Sequence, residues 1–259
     1  MPNDLNPLPQ SGPAPSIRVA DASLIYDDVV LFDRLALNIP SAEWTVLLGP
    51  SGVGKTTLLR LVADLETGAS GQVKADDNAP LDGRLSYMAQ QDLLLPWLTL
   101  RENANLGARL RGTVSADVAA KTDALLDRAG LSAAADLLPA VCSGGMRQRA
   151  ALVRTLMENR PVVLMDEPFS ALDAITRLQL QDVAAELLRG RTVLLVTHDP
   201  LEALRLGHRI HVMTGRPARF GDAIVPVGPA PRQVSDPRLV KLQAELLSQL
   251  ADAARETAA

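Results

Sequence analysis

Apolar positions fall into three kinds of run. Alternation of apolar and polar residues at 17–20 and 35–39 predicts strands with one buried face. Short β segments at 23–26 and 29–32 flank a turn at Asp27-Asp28, and Pro40-Ser41 closes the section. This front part reads as an antiparallel β layer. Continuous apolar runs at 45–48, 161–165 and 192–197, with shorter ones at 71–74, 85–88 and 210–213, predict strands, the longest of them buried on both faces. Helical spacing marks a segment after residue 57 that stops near Gly68, then 100–110, 115–129 with Ser115 as N-cap, 133–138, 146–158 and 177–188. A last amphipathic helix covers 239–254, with Leu239, Leu242, Leu246 and Leu250 on one face, to pack on the core or on a second copy. From about 92 to 158 there is no strand signal, which predicts a helical subdomain inserted into an α/β core.

Two stretches break these patterns. Residues 1–16 hold five prolines and read as a disordered tail. Leu93-Leu94-Leu95-Pro96-Trp97-Leu98 is apolar, interrupted by proline and set after a polar turn. It is either core or a surface patch made to dock on something apolar. The expected organisation is a tail at 1–16, one large domain at 17–225 and a C-terminal extension at 226–259 with one helix.

Composition narrows the classes. Of 259 residues, 47% are hydrophobic, enough for a substantial core, while 3% are aromatic. The scarcity of aromatics and a net charge of -4 argue against a nucleic-acid binder, which usually carries stacking platforms and a basic footprint. Cys142 is the sole cysteine, which excludes an internal disulfide and fits a reducing compartment. No apolar run reaches the roughly 18 residues of a membrane span, and the N-terminus lacks a basic-then-apolar secretory pattern. Work at a membrane would go through a partner.

The strongest chemical signal is Gly49-Pro50-Ser51-Gly52-Val53-Gly54-Lys55-Thr56-Thr57, a match to G-x-x-x-x-G-K-[ST] between an apolar strand and a helix. Such a turn cradles phosphate with backbone N–H groups and the helix N-terminus. Lys55 would reach the β- and γ-phosphates of a nucleotide and the Thr56 hydroxyl would sit on Mg²⁺. Asp166-Glu167 follows the buried run 161–165, where unpaired carboxylates are costly. Beside a phosphate loop they read as a Mg²⁺-holding Asp166 and a water-polarising Glu167. His198 ends the next apolar run and can reach a γ-phosphate or water, although such a histidine is more often structural. His208 and His211 receive no role. Tyr26 is a half-buried strand aromatic or a platform for adenine.

The order of phosphate loop, Cys142-Ser143-Gly144-Gly145-Met146-Arg147-Gln148-Arg149, the Asp166-Glu167 pair, Ser170-Ala171-Leu172-Asp173 and His198 resembles the ATP-binding cassette transporter ATPases, from about Ile17 to Met213. The resemblance implies a P-loop NTPase core, a mixed sheet flanked by helices. It implies that Gln90 is a Mg²⁺ ligand and sensor of the permease. Ser143, Gly144 and Gly145 with Gln148 match the signature that closes over the γ-phosphate of an opposite subunit. Ser170 to Asp173 match the D-loop, Glu167 the catalytic base, His198 the switch histidine and Tyr26 the adenine-stacking aromatic. Implied partners are a second copy, integral membrane permease subunits and, through them, a periplasmic or extracellular solute-binding protein. The implied place is the cytoplasmic face of the cell membrane, as a peripheral protein. Two positions depart from the family: Cys142 stands where leucine is usual, and Ala42 where glycine often precedes Glu43.

Leu95-Pro96-Trp97 and residues 143–149 resemble importers of the nitrate, sulfonate and taurine group. Within it, residues 88–97 resemble subunits assigned to hydroxymethylpyrimidine, a thiamine precursor, with aliphatic sulfonate, taurine or nitrate as the alternative solutes. The 93–98 patch then reads as the groove for a permease helix. A non-transport cassette ATPase is the rival class. A chromosome ATPase would need a long coiled coil between Lys55 and Asp166, a translation factor a second cassette, and an exporter half its own spans.

Overall fold

The computed structural model describes residues 14–26 and 28–258. In chain order its elements are β1 (Ile17–Tyr26), β2 (Val29–Ile39), β3 (Trp44–Leu48), α1 (Lys55–Val62), β4 (Ser70–Ala75), β5 (Leu85–Met88), α2 (Leu100–Ala104), α3 (Leu106–Leu110), α4 (Ala116–Arg128), α5 (Gly144–Met157), β6 (Val162–Asp166), α6 (Ala174–Leu187), β7 (Thr192–Val196), α7 (Pro200–Leu206), β8 (Arg209–Thr214), β9 (Arg219–Phe220) and α8 (Pro237–Ala258). The described chain forms two compact units, one of residues 86–160 and 168–189, the other of 14–85, 161–167 and 190–258.

The second unit holds the sheets. β1 pairs antiparallel with β2 on one side and β4 on the other, setting Ile17 opposite Ile39 and Val19 opposite both Leu37 and Val73. The two short segments expected at 17–20 and 23–26 are one strand, as are 29–32 and 35–39. Asp21 and Arg34, at φ 52° and 51°, absorb the irregularities as bulges within the ladder. The antiparallel layer is thus as expected.

The main sheet of this unit runs β6-β7-β3-β8-β9, parallel except for β9. Every residue of β3, β6 and β7 is buried, which is why these strands read as unbroken apolar runs. Register sets Leu47 and Asp166 both level with Val196. The segments leaving β3, β6 and β7 therefore emerge along one carboxyl edge, where open α/β sheets bind ligands. The result is an α/β P-loop NTPase fold.

Two boundaries differ from the sequence expectation in this unit. α1 ends at Val62, not near Gly68. Asp64 takes the left-handed conformation at φ 57°, and the Asp64 and Leu65 N–H groups bond back to Leu61 and Arg60, a closed Schellman turn without glycine. The proline-rich tail expected over 1–16 stops short of its end: Ala14 and Pro15 are buried, and the Thr192 hydroxyl donates to the Pro15 carbonyl at 2.7 Å. Residues 1–13 lie outside the described residues. α8 packs on α7 and β8 through Leu239, Leu246 and Ala253, which answers where the last helix goes. Ahead of it, buried Arg232 donates to the carbonyls of Leu204 and Gly207 at the end of α7 and to those of Pro226 and Val227. Its cation complements the helix C-terminus. Ala42 occupies φ 57°, a conformation that costs a residue with a Cβ about 1–2 kcal/mol.

The first unit is built around α5, against which α2, α3 and α4 pack. The helix expected over 100–110 breaks at Asn105 into α2 and α3. The helix expected over 133–138 is absent; 3-10 turns at Ser132–Ala134 and Pro139–Val141 stand there instead. Pro139 lacks the N–H that a continuing helix needs. Thr99 and Glu102 form a reciprocal capping box at the start of α2, and Ser115 caps α4 as expected.

Candidate functional site

The phosphate loop leaves β3 through three left-handed or near-extended glycines, Gly49, Gly52 and Gly54 at φ 154°, 77° and 108°. A Cβ on Gly49 would stand 2.5 Å from the Met213 carbonyl oxygen, and one on Gly54 2.8 Å from the Phe32 ring. Both positions therefore demand glycine. α1 begins at Lys55 with Gly54 as N-cap, no capping side chain and no acid in its first turn. Its first N–H groups are left for an anion to satisfy. The buried Lys55 ammonium donates to the Gly49 and Pro50 carbonyls at 2.8 and 2.9 Å. Burial lowers its pKa, and Glu167 and Asp166 pull it back up. Val53 is buried, Ser51 and Thr56 are exposed and Thr57 is half-buried.

Asp166 ends β6 fully buried. Neither carboxylate oxygen has a hydrogen-bond partner of good geometry, although Thr56 stands near enough to favour the charged form. Burial is the larger influence and raises the Asp166 pKa, with Glu167 adding to it and Lys55 opposing. An orphaned buried carboxylate beside a threonine fits a hard cation such as Mg²⁺, which takes few protein oxygens and completes its shell with water and phosphate. Among the described residues no cluster of three or more His, Cys, Asp or Glu forms a cation cage. Glu167 sits at φ 49°, a strained conformation for a residue with a side chain, and its N–H bonds to the Val196 carbonyl at 2.8 Å. Its carboxylate lies 3.1 Å from His198 Nδ1. Lys55, Thr56, Asp166, Glu167 and His198 are thus gathered at one sheet edge. Tyr26 ends β1 with 64% of its surface exposed, a ring available for stacking.

The other residues singled out belong to the first unit. Ser143 is the N-cap of α5, accepting from the Met146 N–H, and Gly144 and Gly145 form the first turn. A Cβ on Gly145 would meet the Ala171 carbonyl at 3.2 Å. Gln148 is buried and donates to the Pro168 carbonyl at 3.2 Å. Asp173 caps α6, accepting from the Ile175 and Thr176 N–H groups, and those bonds lower its pKa. Gln90 is exposed and lines a groove of about 410 Å³ with Asp92, Gly144, Arg147 and Gln148. Cys142 is buried, its thiol directed at the Leu138 carbonyl.

The 93–98 patch is neither simple core nor free loop. Trp97 is 70% exposed and Leu93 largely so, while Leu94 is buried. The backbone is clamped by residues that sequence reading missed. Buried Asn103 accepts from the Leu95 N–H and donates to the Leu95, Leu98 and Thr99 carbonyls. Arg154 donates to the Asp92 and Leu93 carbonyls, and Arg147 pairs with the Asp92 carboxylate at 2.9 Å. The one available signal was the Thr99–Glu102 capping box, which places Asn103 on the inner turn of α2.

Comparison with known proteins agrees with this geometry. The family described as ABC transporter matches residues 32–170. An uncharacterized ABC transporter ATP-binding protein of Haemophilus influenzae is 44% identical, over 90% of this chain and 98% of that protein. Aliphatic sulfonates import ATP-binding proteins of Burkholderia lata and Pseudomonas savastanoi pv. phaseolicola are 43% and 42% identical, covering 90% and 91% of this chain and 86% and 95% of theirs. A solved ATP-binding cassette, dimeric in a post-hydrolysis state with ADP and Pi, superposes with a TM-score of 0.72 at 28% identity, over 82% of this chain and all of that one. These names give the hydroxymethylpyrimidine expectation no support and favour its sulfonate alternative. With that family match and relatives above 40% identity across nine-tenths of its length, the chain belongs to the ABC transporter ATP-binding family and is an ATP-hydrolysing cassette.

Proposed function

We propose that this protein is the ATPase subunit of an aliphatic sulfonate importer, working as a homodimer on the cytoplasmic side of a membrane permease. The observation that carries the solute class is the pair of sulfonate-import relatives matching over nine-tenths of the chain. The exposed, clamped Trp97 loop supports a permease as the partner, since a rigid apolar surface loses little entropy on docking. A solute-binding protein would deliver the sulfonate from the far side of the membrane. No described helix is long and apolar enough to cross a membrane.

In this reading the N–H groups of the phosphate loop and the Lys55 ammonium hold the ATP phosphates. Thr56 and Asp166 would hold Mg²⁺, which would neutralise charge building on the transferring phosphoryl group. Glu167 accepts a proton from the attacking water at its carboxylate. His198, 3.1 Å away through Nδ1, orients that carboxylate and leaves Nε2 for phosphate. Tyr26 stacks on adenine. Ser143, Gly144 and Gly145 of a second copy complete the anion site, with Gln90 reporting to the permease. Gln148 and Asp173 support the signature and D-loop from within, as their bonds to Pro168 and to the start of α6 indicate.

The test is reconstitution with the permease and binding protein of an aliphatic sulfonate importer. ATPase activity should rise with alkanesulfonate-loaded binding protein. Stimulation by hydroxymethylpyrimidine instead, with none by sulfonates, would overturn the solute class. Trp97→Ala should keep ATP binding yet lose that stimulation.

A further inference from the structure

We propose that Arg216 is a second phosphate-binding cation of the nucleotide site, acting beside Lys55. The inference rests on the phosphate-loop assignment above. Residues 215–218 join β8 to β9, and the turn is held on three sides. The strand ladder sets Met213 opposite Phe220 and Thr214 opposite Arg219. The Gly215 N–H donates to the Thr257 hydroxyl of α8 at 3.2 Å, and the Ala218 N–H donates to the Leu31 carbonyl of β2 at 2.9 Å. Gly215 itself stands at φ 77°, where a Cβ would meet Arg219 Nη1 at 2.6 Å.

This fixed turn presents two guanidinium groups with different fates. Arg219 pairs with Glu256 at 2.9 Å. Arg216 is exposed and, among the described residues, makes no hydrogen bond or ion pair. Its Nη2 lies 3.6 Å from where a Cβ on Gly52 would stand, so the free fork lies beside the phosphate loop. The chain is acidic overall, with a net charge of -4, yet no carboxylate of the described chain engages this cation. An unpaired guanidinium held by a rigid turn against a loop of anion-binding N–H groups matches phosphate oxygens, which it can engage in a bidentate way.

The test measures binding of ATP, ADP and inorganic pyrophosphate to the full chain by calorimetry, in Arg216→Ala, Arg216→Lys and Arg216→Glu, with Lys55→Ala as reference. Arg216→Ala should weaken all three ligands about fivefold, the size of a part-exposed ion pair, and the loss should shrink as salt rises. Arg216→Glu should weaken them further, Arg216→Lys should retain most of the affinity, and melting temperatures should not move. Wild-type affinity in all three variants, with Lys55→Ala defective, overturns the proposal and leaves the phosphate loop standing. Wild-type affinity in Lys55→Ala as well overturns the underlying assignment. A loss seen for ATP but not pyrophosphate would place Arg216 on the base or sugar. A shift in dimerisation alone would place it on a second copy. Either result rejects the phosphate role.

Discussion

The start of α1 in one unit and the starts of α5 and α6 in the other solve the same electrostatic problem in opposite ways. α1 opens on Gly54 with no capping side chain, and the carboxylate beside it, Asp166, is buried without a proper partner. α5 and α6 open on Ser143 and Asp173, whose oxygens accept from N–H groups of their own helices. α5 and α6 satisfy their first N–H groups from within, while the start of α1 leaves donors, and Asp166 an acceptor, unmet at one sheet edge. Unmet polarity in a well-packed region marks where a ligand belongs.

The largest test of this contrast is chemical. Glu167→Gln should cut ATP turnover by about 10²–10⁴-fold while leaving ATP bound, as loss of a general base does. The same variant should run as an ATP-dependent dimer on size exclusion. A monomer with ATP and Mg²⁺ would count against two copies sharing the site. Next in size, Asn103→Ala removes one side chain that satisfies four backbone groups of the 95–99 segment, and should cost about 2–3 kcal/mol in urea unfolding. A change within error would mean that water replaces the amide. Ser143→Ala should cost about 1 kcal/mol of stability in the absence of nucleotide, because a real cap is lost. Gly54, by contrast, has no cap to lose.

The finest test uses the two aspartates. The Asp166 pKa is raised by burial, so its folded form binds protons more readily than the unfolded chain. Its contribution to stability grows as pH falls through the folded pKa, and at neutral pH the charge is a burden. Asp166→Asn should therefore raise the melting temperature of the ligand-free protein at pH 7 and abolish hydrolysis. The Asp173 pKa is lowered by N–H bonds from Thr176 and Ile175, so its contribution is present above the unfolded value and fades in acid. Asp173→Asn should lower the melting temperature at pH 7, with a difference that vanishes as pH falls below the carboxylate range. Equal responses of the two variants to pH would erase the distinction.

The fold was legible where burial is two-sided. β3, β6 and β7 are apolar because every residue is buried, and their ends named the phosphate loop, Asp166-Glu167 and His198. It was less legible where a polar residue adopts an unusual backbone. Asp64 closing α1 and Asn105 splitting α2 from α3 follow from local hydrogen bonding rather than periodicity. Beyond the Thr99–Glu102 capping box, the clamp of Asn103 and Arg154 on the 92–98 loop left no signal, because side chains that bond to backbone carbonyls leave no sequence pattern at the receiving end.

Glu167 carries a consequence for the history of such a chain. At φ 49° the backbone would prefer glycine or asparagine, while the chemistry proposed there needs a carboxylate. Folding and turnover pull this codon in opposite directions. A lineage released from selection for ATP hydrolysis should lose the acid at 167 early and gain thermal tolerance by doing so. Position 167 is thus where a retired copy of this gene would first betray itself.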